Sequence, residues 1–343
     1  MRFISKLRQA WGAQNYRIAL LLTCIAAANV VCLALNWSAF HRFGFLFSTG
    51  LLAYGFGLRH AVDADHISAI DNTTRKLMQA GKRPIGVGFF FSLGHSTVVI
   101  LLCAALALSS AYVQHHLHQW QSIGGFAGTL ISGFFLYLIG LINLLVLVDL
   151  YKVQKRVRSG ERRDDDDIDQ FLNQRGLLGR LFRPILLMIT SSWQMYLVGF
   201  LFGLGFDTAT EVGLLALAAR SGQSGLPFWS IMLLPMLFTA GMCLVDTADG
   251  ILMLRAYGWA FITPVRKLYY NFSITALSVL VAFFVGTYEL LQIVQQKFAL
   301  QGQFWTLVVR MDSLPIGYMI IAAFIAAWAI FAVVQRLNKY ETA

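Results

Sequence analysis

Charge is scarce in this sequence. Asp, Glu, Lys and Arg make up only 13% of its 343 residues against 57% hydrophobic, and mean hydropathy is +0.64. So few charges cannot clothe a soluble globule of this size, which excludes that class and leaves an integral membrane protein. Cysteine is also sparse: Cys24, Cys32, Cys103 and Cys243 stand singly in apolar segments with no CxxC spacing. Neither a disulfide framework nor a zinc knuckle is therefore indicated. The chain has no G-x4-G-K-[S/T] phosphate loop, so nothing in it points to an ATPase subunit. Nor does anything in it resemble the H-E-x-x-H helix of the zinc hydrolases.

What the chain does have is one apolar run after another. Runs long enough to cross about 30 Å of hydrocarbon fall near residues 17–39, 43–67, 84–112, 123–151, 184–206, 228–253, 268–292 and 316–335. They predict an all-α polytopic membrane protein with eight transmembrane helices. The first run follows Arg2, Lys6, Arg8 and Arg17, is too long for a signal-peptide core and lacks a clear small-residue cleavage site, so it reads as a retained span. Of the 27 Lys and Arg residues, all but Arg42, Arg59, Arg220, Lys297 and Arg310 then fall on the side of the N-terminus. That bias places both termini in the cytoplasm. The net charge of +10 is in the main a topology signal and calls for no nucleic-acid partner.

The expected organisation is a single transmembrane domain over 1–343, with a cytoplasmic N-terminus 1–16 and a cytoplasmic loop 152–183 between two four-helix halves. The loop carries basic residues from Lys152 to Arg163 and then Asp164 to Asp167, the pattern of a solvated linker. His115, His116 and His118 are expected in an exposed outer loop between the third and fourth spans.

Four polar constellations lie inside or at the ends of spans: His60, Asp63, Asp65 and His66; Ser92, His95, Ser96 and Thr97; Asp207, Thr208, Thr210 and Glu211; and Asp246, Thr247 and Asp249. Hydrocarbon charges several kcal/mol for an unpaired ionisable group, so such clusters need an ion or internal partners. In a regular helix His60, Asp63 and His66 share an arc of about 120° while Asp65 points elsewhere. His60 and His66 would then stand about 9 Å apart along the axis, so joint ligation of one ion is easier if the helix is broken. Asp207 and Glu211, four apart, and Asp246 and Asp249, three apart, each share a helical face, where carboxylates repel unless a cation or proton lies between them. Imidazole with carboxylate and water suits nickel, cobalt, zinc or manganese; the shortage of thiolate argues against copper(I). Internal ion pairs with capping hydroxyls are the alternative account of the same residues, and an intramembrane metalloenzyme is the alternative use of a bound metal.

Phe56-Gly57-Leu58 and Phe91-Ser92-Leu93-Gly94-His95 are echoed by Phe202-Gly203-Leu204 and Phe238-Thr239-Ala240-Gly241-Met242. A shift of three spans reverses orientation, so spans two and three are predicted to be an inverted repeat of spans five and six.

Arg59 to Lys76, Phe91 to Val99, Leu204 to Glu211 and Gly241 to Asp249 together resemble the signatures of the NiCoT nickel/cobalt permease family, in that family's order and across the membrane domain. The resemblance implies eight helices, a bacterial cytoplasmic (inner) membrane and uptake of Ni²⁺ or Co²⁺ as cargo, with no cofactor. It maps the H-x4-D-H signature onto His60, Asp65 and His66, and further motif positions onto His95, Asp207, Glu211, Asp246 and Asp249. Asn143 matches a polar position in span four, and Ser92, Thr208 and Thr247 are accessory candidates. We expect His60, Asp63, His66 and His95 to touch the ion and the remaining carboxylates to attract it or orient the imidazoles. Efflux of the same ions fits this chemistry equally. Because imidazole binds metal only when neutral, initial uptake rates measured against external pH are expected to fall below about pH 6.

Overall fold

The computed structural model describes residues 2–41, 44–108, 110–158, 189–204, 209–223, 226–260, 264–311 and 316–340. The regular structure among them is helical throughout: α1 Arg2–Phe40, α2 Gly44–His60, α3 Ala64–Gln79, α4 Val87–Leu108, α5 Ser110–Arg158, a short 3-10 turn Ser192–Gln194, α6 Met195–Gly203, α7 Ala209–Gln223, α8 Phe228–Ala260, α9 Pro264–Phe298, α10 Gln303–Met311 and α11 Ile316–Tyr340. Among the described residues, five helical stretches are long and apolar enough to cross a membrane: Gln14–Phe40, Val87–Leu108, Phe126–Lys152, Phe228–Ala256 and Phe272–Phe298. A sixth arises if Gln303–Met311 and Ile316–Ala327, bent by 73°, count as one broken span. The runs expected at 43–67 and 184–206 correspond to α2, of 17 residues, and α6, of nine. The helix expected to continue through 67 breaks at His60. His115, His116 and His118 fall on the helical backbone of α5 instead of in a loop, while 159–183 of the expected cytoplasmic loop lies outside the described residues.

The chain divides into two compact units. The first comprises Met1–Val62, Ile85–Gly128 and Ser192–Ile251; the second comprises Asp63–Pro84, Thr129–Ser191 and Leu252–Ala343. The first unit is built on two helix crossings so tight that only glycine fits. A Cβ on Gly57 of α2 would fall on the carbonyl of Phe238 in α8, and one on Gly241 would lie 2.7 Å from the Tyr54 carbonyl and 3.0 Å from the Leu58 nitrogen. In the other crossing, a Cβ on Gly199 of α6 would fall on the carbonyl of Phe91 in α4, and one on Gly94 would meet the backbone of Tyr196 and Phe200. Such close approach lets backbones pack directly where lipid gives no hydrophobic drive to association. Tyr54 and Gly57 thus stand to α8 as Tyr196 and Gly199 stand to α4. Around the crossings, Val99, Leu106, Leu214, Leu237 and Phe238 form a buried apolar cluster.

The second unit surrounds a polar helix. On α3, Ser68, Asp71, Asn72, Thr73, Thr74, Arg75 and Lys76 are all buried. Burial of polar groups needs hydrogen-bond partners, and the neighbouring helices supply some of them. Arg75 donates from Nε to Ser278 Oγ and from Nη1 to Thr275 Oγ1 of α9, each at 3.0 Å, and Asn143 Nδ2 of α5 donates to Asn72 Oδ1 at 2.7 Å. Between α5 and α9, Ser132 Oγ donates to Glu289 Oε1 at 3.0 Å. At the end of α9, Ala299 holds φ 49°, a left-handed conformation that costs a Cβ-bearing residue roughly 1–2 kcal/mol. Ala299→Gly is expected to raise stability in detergent by about 1 kcal/mol, measured by thermal unfolding; an unchanged or lower midpoint would show that no strain is relieved there.

Candidate metal site

Why α2 stops where it does follows from the sequence just after it. Asp63 adopts an extended backbone (φ −74°, ψ 150°) and accepts the Ala64 N–H in its side chain at 2.9 Å, capping a new helix. Asp is a preferred N-cap because its oxygen satisfies a donor that the helix leaves open. Ala61 N–H still reaches Gly57 O and Val62 N–H reaches Arg59 O, so α2 ends on His60. The imidazole is thereby delivered at a helix terminus.

Within the first unit, three helices bring electron-pair donors to one point. His60 Nε2 of α2 lies 2.9 Å from His95 Nε2 of α4, and His95 Nε2 lies 2.7 Å from Glu211 Oε1 in the first turn of α7. The remaining side of the triangle, His60 Nε2 to Glu211 Oε1, is 3.8 Å. His60, His95 and Glu211 are respectively 3%, 3% and 1% exposed, which leaves water little share in their solvation. Atoms bound about 2.1 Å from a shared ion stand about 3.0 Å apart in an octahedron and about 3.4 Å apart in a tetrahedron, and the sides of the triangle, 2.7 to 3.8 Å, lie on either side of that range. Donors packed this closely repel unless a proton or a cation sits among them. Phe238 flanks His60 with ring centroids at 5.4 Å, and Phe91 flanks His95 at 6.4 Å, giving the imidazoles apolar walls.

The other expected residues are placed as follows. In the first unit, Asp246 of α8 is buried and accepts a hydrogen bond from Ser92 Oγ of α4 at 2.6 Å. Thr247 is also buried, and Asp249 follows one turn after Asp246 on α8, partly buried. In the second unit, Asp65 Oδ1 accepts the His66 N–H at 2.8 Å, and His66 is fully buried. Asn143 pairs with Asn72, as described above. Asp207 and Thr208 lie outside the described residues. The shared face expected for His60, Asp63 and His66 does not form, because the helix that would carry it is interrupted at residues 61–63. Asp63 uses one oxygen on the cap, and Glu211 is the carboxylate that joins the two imidazoles.

The profile of the high-affinity nickel-transport proteins (NicO) matches residues 46–334. The chain belongs to this family. It is 47% identical over 332 residues to the high-affinity nickel transport protein of Cupriavidus necator, covering 96% of this chain and 95% of that one. It is 44% identical to the nickel transporter NixA of Staphylococcus aureus, over 96% of this chain and 97% of its relative. It is 41% identical to the cobalt transport protein NhlF of Rhodococcus rhodochrous, over 83% and 82%. No solved structure matches.

For this family member the sequence motifs contain both the residues of the triangle and the polar groups around them, without saying which of those groups meet. Thr210, inside the third constellation, places Oγ1 3.2 Å from His60 Nδ1. Asn72 and Arg75 tie α3 to its neighbours. A polar residue at every position of a helix turn, as in Asp71 to Lys76, is the signal that would have marked α3 as internally paired, since water would not require such a fixed arrangement.

Proposed function

We propose that the chain is a secondary permease that carries Ni²⁺ and/or Co²⁺ inward across the cytoplasmic membrane, binding the ion at His60, His95 and Glu211. The convergence of those three donor atoms in the buried core of the first unit is the observation that supports it most. His66 is a further imidazole candidate, six residues after His60 in the same signature. Asp65 orients it through the neighbouring backbone. Asp207, Asp246 and Asp249 attract the cation or line its path, and Asp63 stabilises the break.

Eight spans with both termini inside remain the reading of the charge distribution, α2 and α6 being its short second and fifth members. The repeated crossings support inversion of spans two and three against five and six. In those crossings Gly57 corresponds to Gly199, one helical turn before the Gly203 that the Phe-Gly-Leu echo suggests. Alternating access then moves a stripped or partly stripped ion past the repeats.

The membrane potential can drive the step. A doubly charged ion moving inward gains about 4.6 kcal/mol per 100 mV, inside negative, enough for more than a thousandfold accumulation. Initial uptake of radioactive nickel into proteoliposomes is expected to rise when a potassium and valinomycin diffusion potential makes the lumen negative. Uptake indifferent to that potential would overturn the electrogenic step. Competition with cobalt, zinc and manganese in the same assay defines the cargo. Loss of the gene is expected to lower cellular nickel; a rise would instead make the protein an exporter.

A further inference from the structure

A metal-binding imidazole has to present one nitrogen bare to the ion, and the other nitrogen then carries the hydrogen. Which nitrogen does which is set by the partner of the protonated one. On His60, Nε2 is the atom that faces His95 Nε2 and Glu211 Oε1, and Nδ1 lies 3.2 Å from the hydroxyl oxygen of Thr210. Thr210 is buried, with 6% of its surface exposed, and sits on α7 immediately before Glu211. Two consecutive residues of one helix turn therefore meet the same imidazole on its two nitrogens, Glu211 Oε1 on the Nε2 side and Thr210 Oγ1 at Nδ1.

We infer that Thr210 is a positioning residue for metal capture: its Oγ1 accepts the Nδ1 hydrogen of His60 and so fixes both the tautomer and the tilt that direct Nε2 at the ion. The inference rests on the metal reading proposed above and adds a residue that acts through His60 without touching the ion. Phe238 flanks the ring at a centroid distance of 5.4 Å and His95 at 4.7 Å, and Thr210 Oγ1 is the hydroxyl at Nδ1. A serine keeps the acceptor oxygen at the same position. Valine keeps the shape and the β-branch but removes the oxygen, leaving the Nδ1 hydrogen of a buried ring facing a methyl group.

The test is the kinetics of nickel uptake in proteoliposomes holding the full-length protein. Thr210→Val is expected to raise KM by ~10–100-fold, the range found when an outer partner of a metal-bound histidine is lost, while kcat moves much less. Thr210→Ser is expected to return KM to within about threefold of the unmodified protein, a rescue that a purely space-filling role would not produce. If the valine variant fails to accumulate in membranes, Thr210→Ala carries the same KM expectation with a smaller side chain. A KM within about twofold of the unmodified protein for Val or Ala, or a Ser variant as impaired as Val, overturns the inference. His60→Ala run in parallel separates the two levels. Lost uptake there with an unaffected Thr210→Val removes Thr210 alone, whereas retained uptake in His60→Ala removes the metal reading itself.

Discussion

His95→Ala is expected to abolish nickel uptake, with kcat/KM falling by more than about a hundredfold. The imidazole is the corner of the triangle nearest both other donors, 2.9 Å from His60 Nε2 and 2.7 Å from Glu211 Oε1. Loss of an outer partner alone costs 10–100-fold in metal affinity, so loss of a group that would bind the ion directly should cost more. The substitution also removes a group 2.7 Å from the buried Glu211 carboxylate, which costs stability whatever it does to the ion. The result therefore has to be separated from misfolding. Glu211→Gln supplies that separation, because it keeps the volume and removes the charge: uptake should fall steeply while the protein still reaches the membrane. Radioactive nickel uptake normalised to immunoblotted protein reads both outcomes, and normal transport by either variant would exclude that residue from ion binding.

Glycine-to-alanine substitutions two residues apart on α2 are expected to act with opposite signs. Gly55 is exposed and a Cβ there would meet nothing within 4 Å, so Gly55→Ala gains helix propensity of up to about 1 kcal/mol at no steric cost. Gly57 is buried against the Phe238 carbonyl, and a methyl group placed there would clash with that backbone oxygen. A carbonyl within a helix cannot swing aside as a long side chain can, so α2 and α8 must separate. The loss belongs to the overpacking class of 1–3 kcal/mol, and more where the backbone must move. Gly199→Ala should do the same to α4 and α6. Thermal unfolding in detergent is expected to give a midpoint at or above that of the unmodified protein for Gly55→Ala and one clearly lowered for Gly57→Ala and Gly199→Ala. Equal midpoints for the Gly55 and Gly57 variants would mean that the crossings are looser than described.

Much of this site is legible in the chain. His60, His95 and Glu211 each stand in one of the four polar constellations, and an intramembrane ionisable residue marks function whatever its neighbours. Less legible is which carboxylate joins the imidazoles. A helical wheel assigns Asp63, because periodicity assumes that the helix continues. Asp63 itself ends that continuity by taking an extended backbone and capping α3. The burial of Arg75 and Lys76 is also hidden, since the charge bias only puts them on the side of the N-terminus and says nothing of partners such as Thr275 and Ser278 on another helix, which Arg75 reaches. The repeat shows the same limit in a milder form. Matching letters aligns Gly57 with Gly203, while the atoms that need a missing side chain align it with Gly199, because close packing selects the position facing the neighbouring backbone and not the tripeptide around it.

The most direct test of ion binding by His60, His95 and Glu211 is X-ray absorption at the nickel edge on the purified, nickel-loaded protein. The unmodified protein is expected to show the multiple-scattering signature of imidazole ligands together with oxygen donors, and the His60→Ala/His95→Ala double variant to lose the contribution of two imidazoles or to bind no nickel. An identical imidazole signal at full occupancy in the double variant would place the ion elsewhere.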